Sequence, residues 1–140
     1  MDGLLHIKIL EIENNTMSEN DNNEICELIS KISSYIRFVG IISRTGTLLA
    51  HFRREGLEPL LDQKSTQYQF AQIAIKNELE EQFDAQLGDV EFVWEERENV
   101  QTISFSIIDK KIWLTIDRKV VRSEMLRIID SCLPIVKRYS

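Results

Sequence analysis

A chain of 140 residues, 43% of them hydrophobic, is the size of one domain and can bury a core without staples. Its net charge of −6 argues against the basic footprint of a nucleic-acid binder, and no apolar run approaches the roughly 20 residues of a membrane span. The opening MDGLLHIKIL has an acid where a secretion signal needs bases, and its two cysteines, Cys26 and Cys132, fall in apolar helical stripes. The expectation is a cytoplasmic chain with reduced thiols and no membrane insertion.

Residues 1–16 fit two patterns, a strand through Leu5, Ile7 and Ile9 or a helix through Leu5, Ile9 and Ile12. The polar stretch ENNTMSENDNN follows, without periodicity and with Met17 inside it. Residues 1–21 are therefore expected to be a weakly ordered extension and linker, and 22–140 the domain. A first helix is predicted over 24–36, capped by Asn22 or Asn23, with Ile25, Leu28, Ile29, Ile32, Tyr35 and Ile36 as its apolar stripe. Next comes FVGIISRTGTLLAHF, two apolar runs around Ser43-Arg44-Thr45-Gly46. It reads as a hairpin with Gly46 in the left-handed region, Ser43 opposite Thr47, and the pairs 42/48, 40/50 and 38/52. Both faces of that hairpin are mostly apolar, so both should be covered. Gly40 opposite Ala50 would leave room for a helix to approach.

A second helix is predicted over 67–87, with Thr66-x-x-Gln69 as a capping box and Gly88 beyond its end. Three strands follow. Val90, Phe92 and Trp94 alternate with acids, and Ile103, Phe105 and Ile107 alternate with Thr102, Ser104 and Ser106. An Asp109-Lys110 turn would pair 107 with 112, 105 with 114 and 103 with 116. Trp113 then points to the opposite face and packs under a helix. The last helix is predicted over 123–139, capped by Ser123 and kinked at Pro134, with Val121, Met125, Ile128, Ile129, Cys132, Ile135 and Val136 facing inward. The order is α-β-β-α-β-β-β-α. The expected fold class is α+β, a three-layer α/β/α sandwich. Its five-stranded antiparallel sheet carries the second helix on one face and the first and last helices on the other.

In this order of elements, VGIISRTGTLLAHF resembles the first hairpin of roadblock-type dynein light-chain domains, within the wider profilin-like superfamily. The resemblance spans roughly residues 22–140 and lies in topology more than in motif. It implies a small scaffold, either a homodimer or a roadblock-like heterodimer. Relatives regulate small Ras-like GTPases or serve as subunits of motor and signalling complexes, and many dimerise through the second helix and third strand. The family has no catalytic signature to carry over. This chain departs from it in its N-terminal extension and in the long segment EFVWEERENV.

The residues themselves offer no chemistry of their own. There is no GxxxxGK[ST] or GxGxxG phosphate loop. His6, His51, Cys26 and Cys132 have no metal-ligand spacing. No catalytic residue, cofactor or metal is assigned. His51 reads as a packed or hydrogen-bonded side chain, Glu95, Glu96 and Glu98 as a solvated strand end, and Arg53-Arg54 as an exposed pair. Acids outnumber bases from Asp62 to Val100, and bases outnumber acids from Asp117 to Ser140.

One surface stands out. If Tyr68, Gln72, Ile75, Leu79 and Phe83 face the sheet, then Phe70, Ile73, Ala74 and Asn77 form an apolar patch on the wet side of the second helix. The expected partner interface is Phe70, Ile73, Ala74, Asn77 and Glu81, with Trp94 of the third strand alongside. The functional expectation is a non-enzymatic protein–protein interaction module. The alternative is a profilin-like or PAS-like domain that senses a small molecule under the second helix. These differ in where space is left, an internal pocket in the second case and a filled core with an apolar outer patch in the first.

Overall fold

A computed structural model describes residues 19–140. Helix α1 covers 19–30, and β1 (Ile36–Ser43) and β2 (Leu48–Arg53) form the hairpin. Then come α2 (Gln63–Glu81), the single turn α3 (Asp84–Leu87), β3 (Phe92–Glu96), β4 (Val100–Ile107), β5 (Lys110–Asp117) and α4 (Arg122–Arg138). All strand pairs are antiparallel, in the order β2-β1-β5-β4-β3, which leaves β2 and β3 at the edges of the sheet among the described residues. The expected α+β sandwich and element order are present, with α3 as an addition. The expectations for residues 1–16 lie outside the described residues.

Two cores sit on opposite faces of the sheet. On one, Ile25, Cys26 and Ile29 of α1 and Met125, Ile128, Ile129, Cys132 and Val136 of α4 pack on Val39, Ile41, Ile103, Phe105, Ile112 and Leu114. On the other, Phe70 of α2 packs on Phe38, Ile42 and Trp113. Trp113 thus lies under a helix, as its strand parity requires.

The hairpin begins as predicted and then changes register. Gly46 has φ 85°, the Ser43 N–H donates to the Thr47 carbonyl at 2.9 Å, and Ile42 pairs with Leu48. A β-bulge then absorbs Leu49, so Ile41 faces Ala50, Gly40 faces His51 and Phe38 faces Arg53. The bulge corrects the expected faces. Ala50 and Phe52 join the α1/α4 core, while His51 stacks on Phe38 at 5.9 Å. The space at Gly40 is filled by the Phe38 ring and Leu48, with no helix there.

The β4–β5 hairpin is displaced by two residues from the expected pairing: Ile107 faces Lys110, Phe105 faces Ile112 and Ile103 faces Leu114. The turn is Ile108-Asp109, with Asp109 at φ 61°, a conformation that Asp tolerates better than most residues. A shift of two keeps every side chain on its own face, so alternation could not distinguish these registers.

Helix ends moved for local reasons. The first helix ends at residue 30, and Ile36 opens β1 instead of closing a helix. The Arg54 guanidinium takes the carbonyls of Ser30, Ser33 and Ile36, each at 3.0 Å, which turns the chain from helix to strand. Asn22 is no cap: it is buried inside α1, and its Oδ1 accepts from Lys110 Nζ at 3.2 Å. Helix α2 starts before the predicted capping box, because Asp62 caps it by accepting from the Ser65 N–H at 2.7 Å. It stops at Glu81, and the chain reaches Gly88, at φ 82°, through α3. Ser123 lies inside α4, whose N-cap is Val121, and Val121 is exposed. Pro134 sits within α4 on its solvent side.

Candidate interaction surface

Helix α2 carries two apolar stripes on nearly opposite sides, so its own pattern does not choose which one is buried. The sheet chooses. Phe38, Ile42 and Trp113 present a broad apolar floor, and Phe70 stacks on it, 6.4 Å from Phe38 and 5.9 Å from Trp113 between ring centroids. Beside that floor, Lys111 rises from β5 on the same face and is buried. Its Nζ donates to Ser106 Oγ at 2.8 Å and lies 3.8 Å from the Glu80 carboxylate. Burial lowers the Lys111 pKa, and the Glu80 charge opposes that shift. A buried ammonium needs such partners, and only the Phe70–Asn77–Glu80 side of α2 supplies them. With Leu79 and Phe83 turned inward, Lys111 would face hydrocarbon.

The expected orientation of α2 is therefore reversed. Phe70 and Ala74 are 5% and 9% exposed, and Ile73 and Asn77 are half-buried on the sheet side. Glu81 accepts from Arg44 at 2.6 Å and from Asn77 at 3.3 Å. Trp94 packs against the α1/α4 core, on the far face of the sheet from α2, and its indole N–H donates to Gln101 at 3.1 Å. Gln101 in turn donates to the Val120 carbonyl at 2.8 Å. Phe70 and Ala74 thus offer no exposed apolar patch, while Ile73 and Trp94 are half-buried.

The residues assigned to the core are the ones in water. Tyr68, Ile75, Leu79 and Phe83 are 67%, 59%, 55% and 58% exposed. With Gln72, the first three lie at i, i+4, i+7 and i+11, one continuous stripe along the outer side of α2. Strand β3, an edge strand among the described residues, lies beside it, joined to the helix by Lys76 and Glu95 at 3.3 Å. An apolar helix stripe flanked by a sheet edge offers side-chain burial and backbone hydrogen bonds side by side.

By sequence, no family model matches the chain and no curated protein matches it. Solved structures do match its fold. The roadblock/LC7 domain from Streptomyces avermitilis superposes with a TM-score of 0.60 at 12% identity, over 83% of this chain and 92% of that one. The gliding protein MglB from Thermus thermophilus gives 0.60 at 13% identity, over 85% and 90%. Myxococcus xanthus MglB gives 0.58 at 12% identity, over 87% and 92%. The chain folds as a roadblock-type domain.

A second feature of this roadblock-type domain was not foreseen residue by residue. Under the N-terminal half of α2 lies an open cleft of about 420 Å³. Phe38, Phe70, Trp113 and Thr102 line it, Leu60 and Leu61 of the loop before α2 stand on its rim, and Arg37, Arg53 and Arg97 surround it against one acid, Glu98. The pair Arg53-Arg54 is thus divided in role. Arg54 closes α1, whereas Arg53 lies over the Phe38 ring at 4.8 Å. The β1–β2 bulge sets Arg53 opposite Phe38, but strict alternation would turn Arg37 to the other face; the β1–β5 register also shifts between Ile36 and Phe38, and Arg37 lies in that irregularity.

Cys26 and Cys132 are free and buried in the α1/α4 core of the roadblock-type domain. Burial pushes their thiols up to about 11 and about 12 respectively, away from the reactive thiolate form. Among the described residues, no group of histidines, cysteines and carboxylates could hold a metal ion, and no helix is long and apolar enough to cross a membrane.

Proposed function

We propose that this roadblock-type domain is a non-enzymatic interaction module that works as a dimer. Two copies meet through the outer stripe of α2 and the edge strand β3. The observation that carries the proposal is the exposure of Tyr68, Ile75 and Leu79 in one line beside β3, an edge strand of the sheet among the described residues. An apolar stripe forfeits about 25 cal/mol for each Å² left in water, and a two-fold pairing that recruits both α2 and β3 can reach the roughly 1,000 Å² of a stable interface. Antiparallel helices would set Glu78 and the C-terminal end of one α2 against Lys64 and the N-terminal end of the other, which suits both side-chain charge and helix dipole.

The roadblock resemblance implies a small Ras-like GTPase, or a roadblock-like second subunit, as the partner of such a dimer. The fold neighbours include MglB in a tetrameric arrangement, which supports reading the domain as a building block of assemblies. Sedimentation equilibrium with circular dichroism tests the proposal. The wild type should dimerise at micromolar concentration, and Ile75→Glu should be monomeric with an unchanged spectrum. A wild type that stays monomeric at high micromolar concentration would sink it.

A further inference from the structure

The cleft beneath the N-terminal half of α2 joins a cationic mouth to an aromatic floor. Arg37 and Arg53 face each other's charge without an ion pair among the described residues. Among the described residues, the Arg37 guanidinium donates to the Glu58 carbonyl at 3.3 Å, and Arg53 lies over the face of Phe38. Arg53 is partly desolvated and held next to a like charge, both of which lower its pKa. In a chain of net charge −6, two adjacent guanidiniums without an ion pair among the described residues, with Arg97 and the single acid Glu98 beside them, make a locally positive site. Below them, Phe38 and Trp113 meet edge to face at 5.9 Å, and Phe70 closes the inner wall. Leu60 stands exposed at the rim. The volume falls within the range of small-molecule sites.

We propose that this cleft binds a small molecule that carries one anionic group on a flat apolar body, such as an aromatic carboxylate. Arg37 and Arg53 grip the anion, and Phe38, Phe70, Trp113 and Leu60 receive the ring. Guanidiniums suit this task because their planar forks match a carboxylate, and a carboxylate shared between them relieves their mutual repulsion. The aromatic floor alone would accept any apolar ring. The arginines make the site select for charge. This site is separate from the outer stripe of α2, since Ile75 and Leu79 lie on the opposite side of the helix from Phe70.

The test uses 2-naphthoate and its neutral analogue 2-naphthamide with the full chain, read by the indole N–H resonances of Trp113 and Trp94. Naphthoate should bind saturably and shift Trp113 while leaving Trp94, on the other face of the sheet, in place. Naphthamide should bind at least about tenfold more weakly, and Arg37→Met and Arg53→Met should each weaken naphthoate by about tenfold without lowering the thermal midpoint. Inorganic phosphate should compete only weakly, because it lacks the ring. Equal binding of the two probes, unchanged affinity in both arginine variants, or no saturable binding at millimolar naphthoate would overturn the proposal. Binding abolished by Ile75→Glu would place the ring on the outer stripe and overturn it as well. If the arginine variants lose self-association and naphthoate does not bind, the arginines belong to the protein interface and the ligand site is refuted.

Discussion

Gly46 at the tip of the first hairpin lies directly against Ala71 of α2: a β-carbon on Gly46 would stand 3.0 Å from Ala71 Cα and 3.1 Å from its backbone nitrogen. The same glycine has φ 85°, in the left-handed region. Gly46→Ala therefore meets two penalties, a strained backbone and a clash with backbone that cannot rotate away. The expected loss is roughly 2–4 kcal/mol, read from urea unfolding with an unchanged m-value. Gly46→Asn eases the backbone strain but keeps the β-carbon, so it should fall between Ala and wild type. An Asn variant as stable as the wild type would show that the helix does not press on this turn.

The orientation of α2 can be tested by truncating one side chain from each stripe. In the Ile75→Glu background, Phe70→Ala should cost about 3–5 kcal/mol, because it opens a cavity between Phe38 and Trp113. Tyr68→Ala in that background should change stability by no more than about 0.5 kcal/mol. Equal costs would mean that the helix is seated differently.

Arg54 joins the end of α1 to the start of β1 through three carbonyls. Arg54→Met should cost roughly 2–4 kcal/mol, since these bonds are charge-assisted and partly buried. Arg54→Lys should recover only part of that, because an ammonium lacks the guanidinium fork. Denaturation midpoints of the two variants decide this, and a fully rescued lysine variant would refute the role of the fork.

The buried thiols give the domain an alkaline limit. Cys26 and Cys132 titrate near 11 and near 12 when folded, against an ordinary 9.0. Well below pH 9.0 both are protonated in either state and add no pH dependence. Above it the unfolded chain sheds these protons while the native state keeps them. The stabilisation is therefore lost as pH rises towards the folded values, by at most about 1.4 kcal/mol per pH unit for each thiol. Urea unfolding of the wild type and Cys132→Ala between pH 8 and 10.5 measures the difference in slope. The variant should start less stable but decline more gently above pH 9. Parallel slopes would show that Cys132 is not protected.

Much of the molecule was legible as pattern, and its limits can be seen at particular residues. Ile103, Phe105, Ile112, Leu114 and Ile116 alternate with residues of the α2 face, such as Ser104 and Trp113, and all five are buried in the α1/α4 core. The stripe from Met125 to Val136 repeats at helical spacing and packs into that same core. Both readings succeed because only one face of each element is strongly apolar. The seating of α2 was not legible for the opposite reason: α2 is apolar on both sides, so rotating it to bury Phe70 and Ala74 costs little in pattern. The cleft was hidden because Arg37 and Arg53 converge only through the register irregularities of β1.

Local periodicity and sheet parity are enough to give the order of the main elements, the five-stranded layer with helices on both sides, and the inward faces of β4, β5 and α4. The tertiary structure alone decided the two-residue slide of the β4–β5 register, the bulge at Leu49, and which stripe of α2 meets water. These depend on pairings between distant residues: Lys111 with Glu80, Gly46 with Ala71, Phe70 with Trp113. Such contacts carry no periodic signal, so the choice between two apolar faces is made only when a buried charge and a ring on the sheet find their partners on one of them.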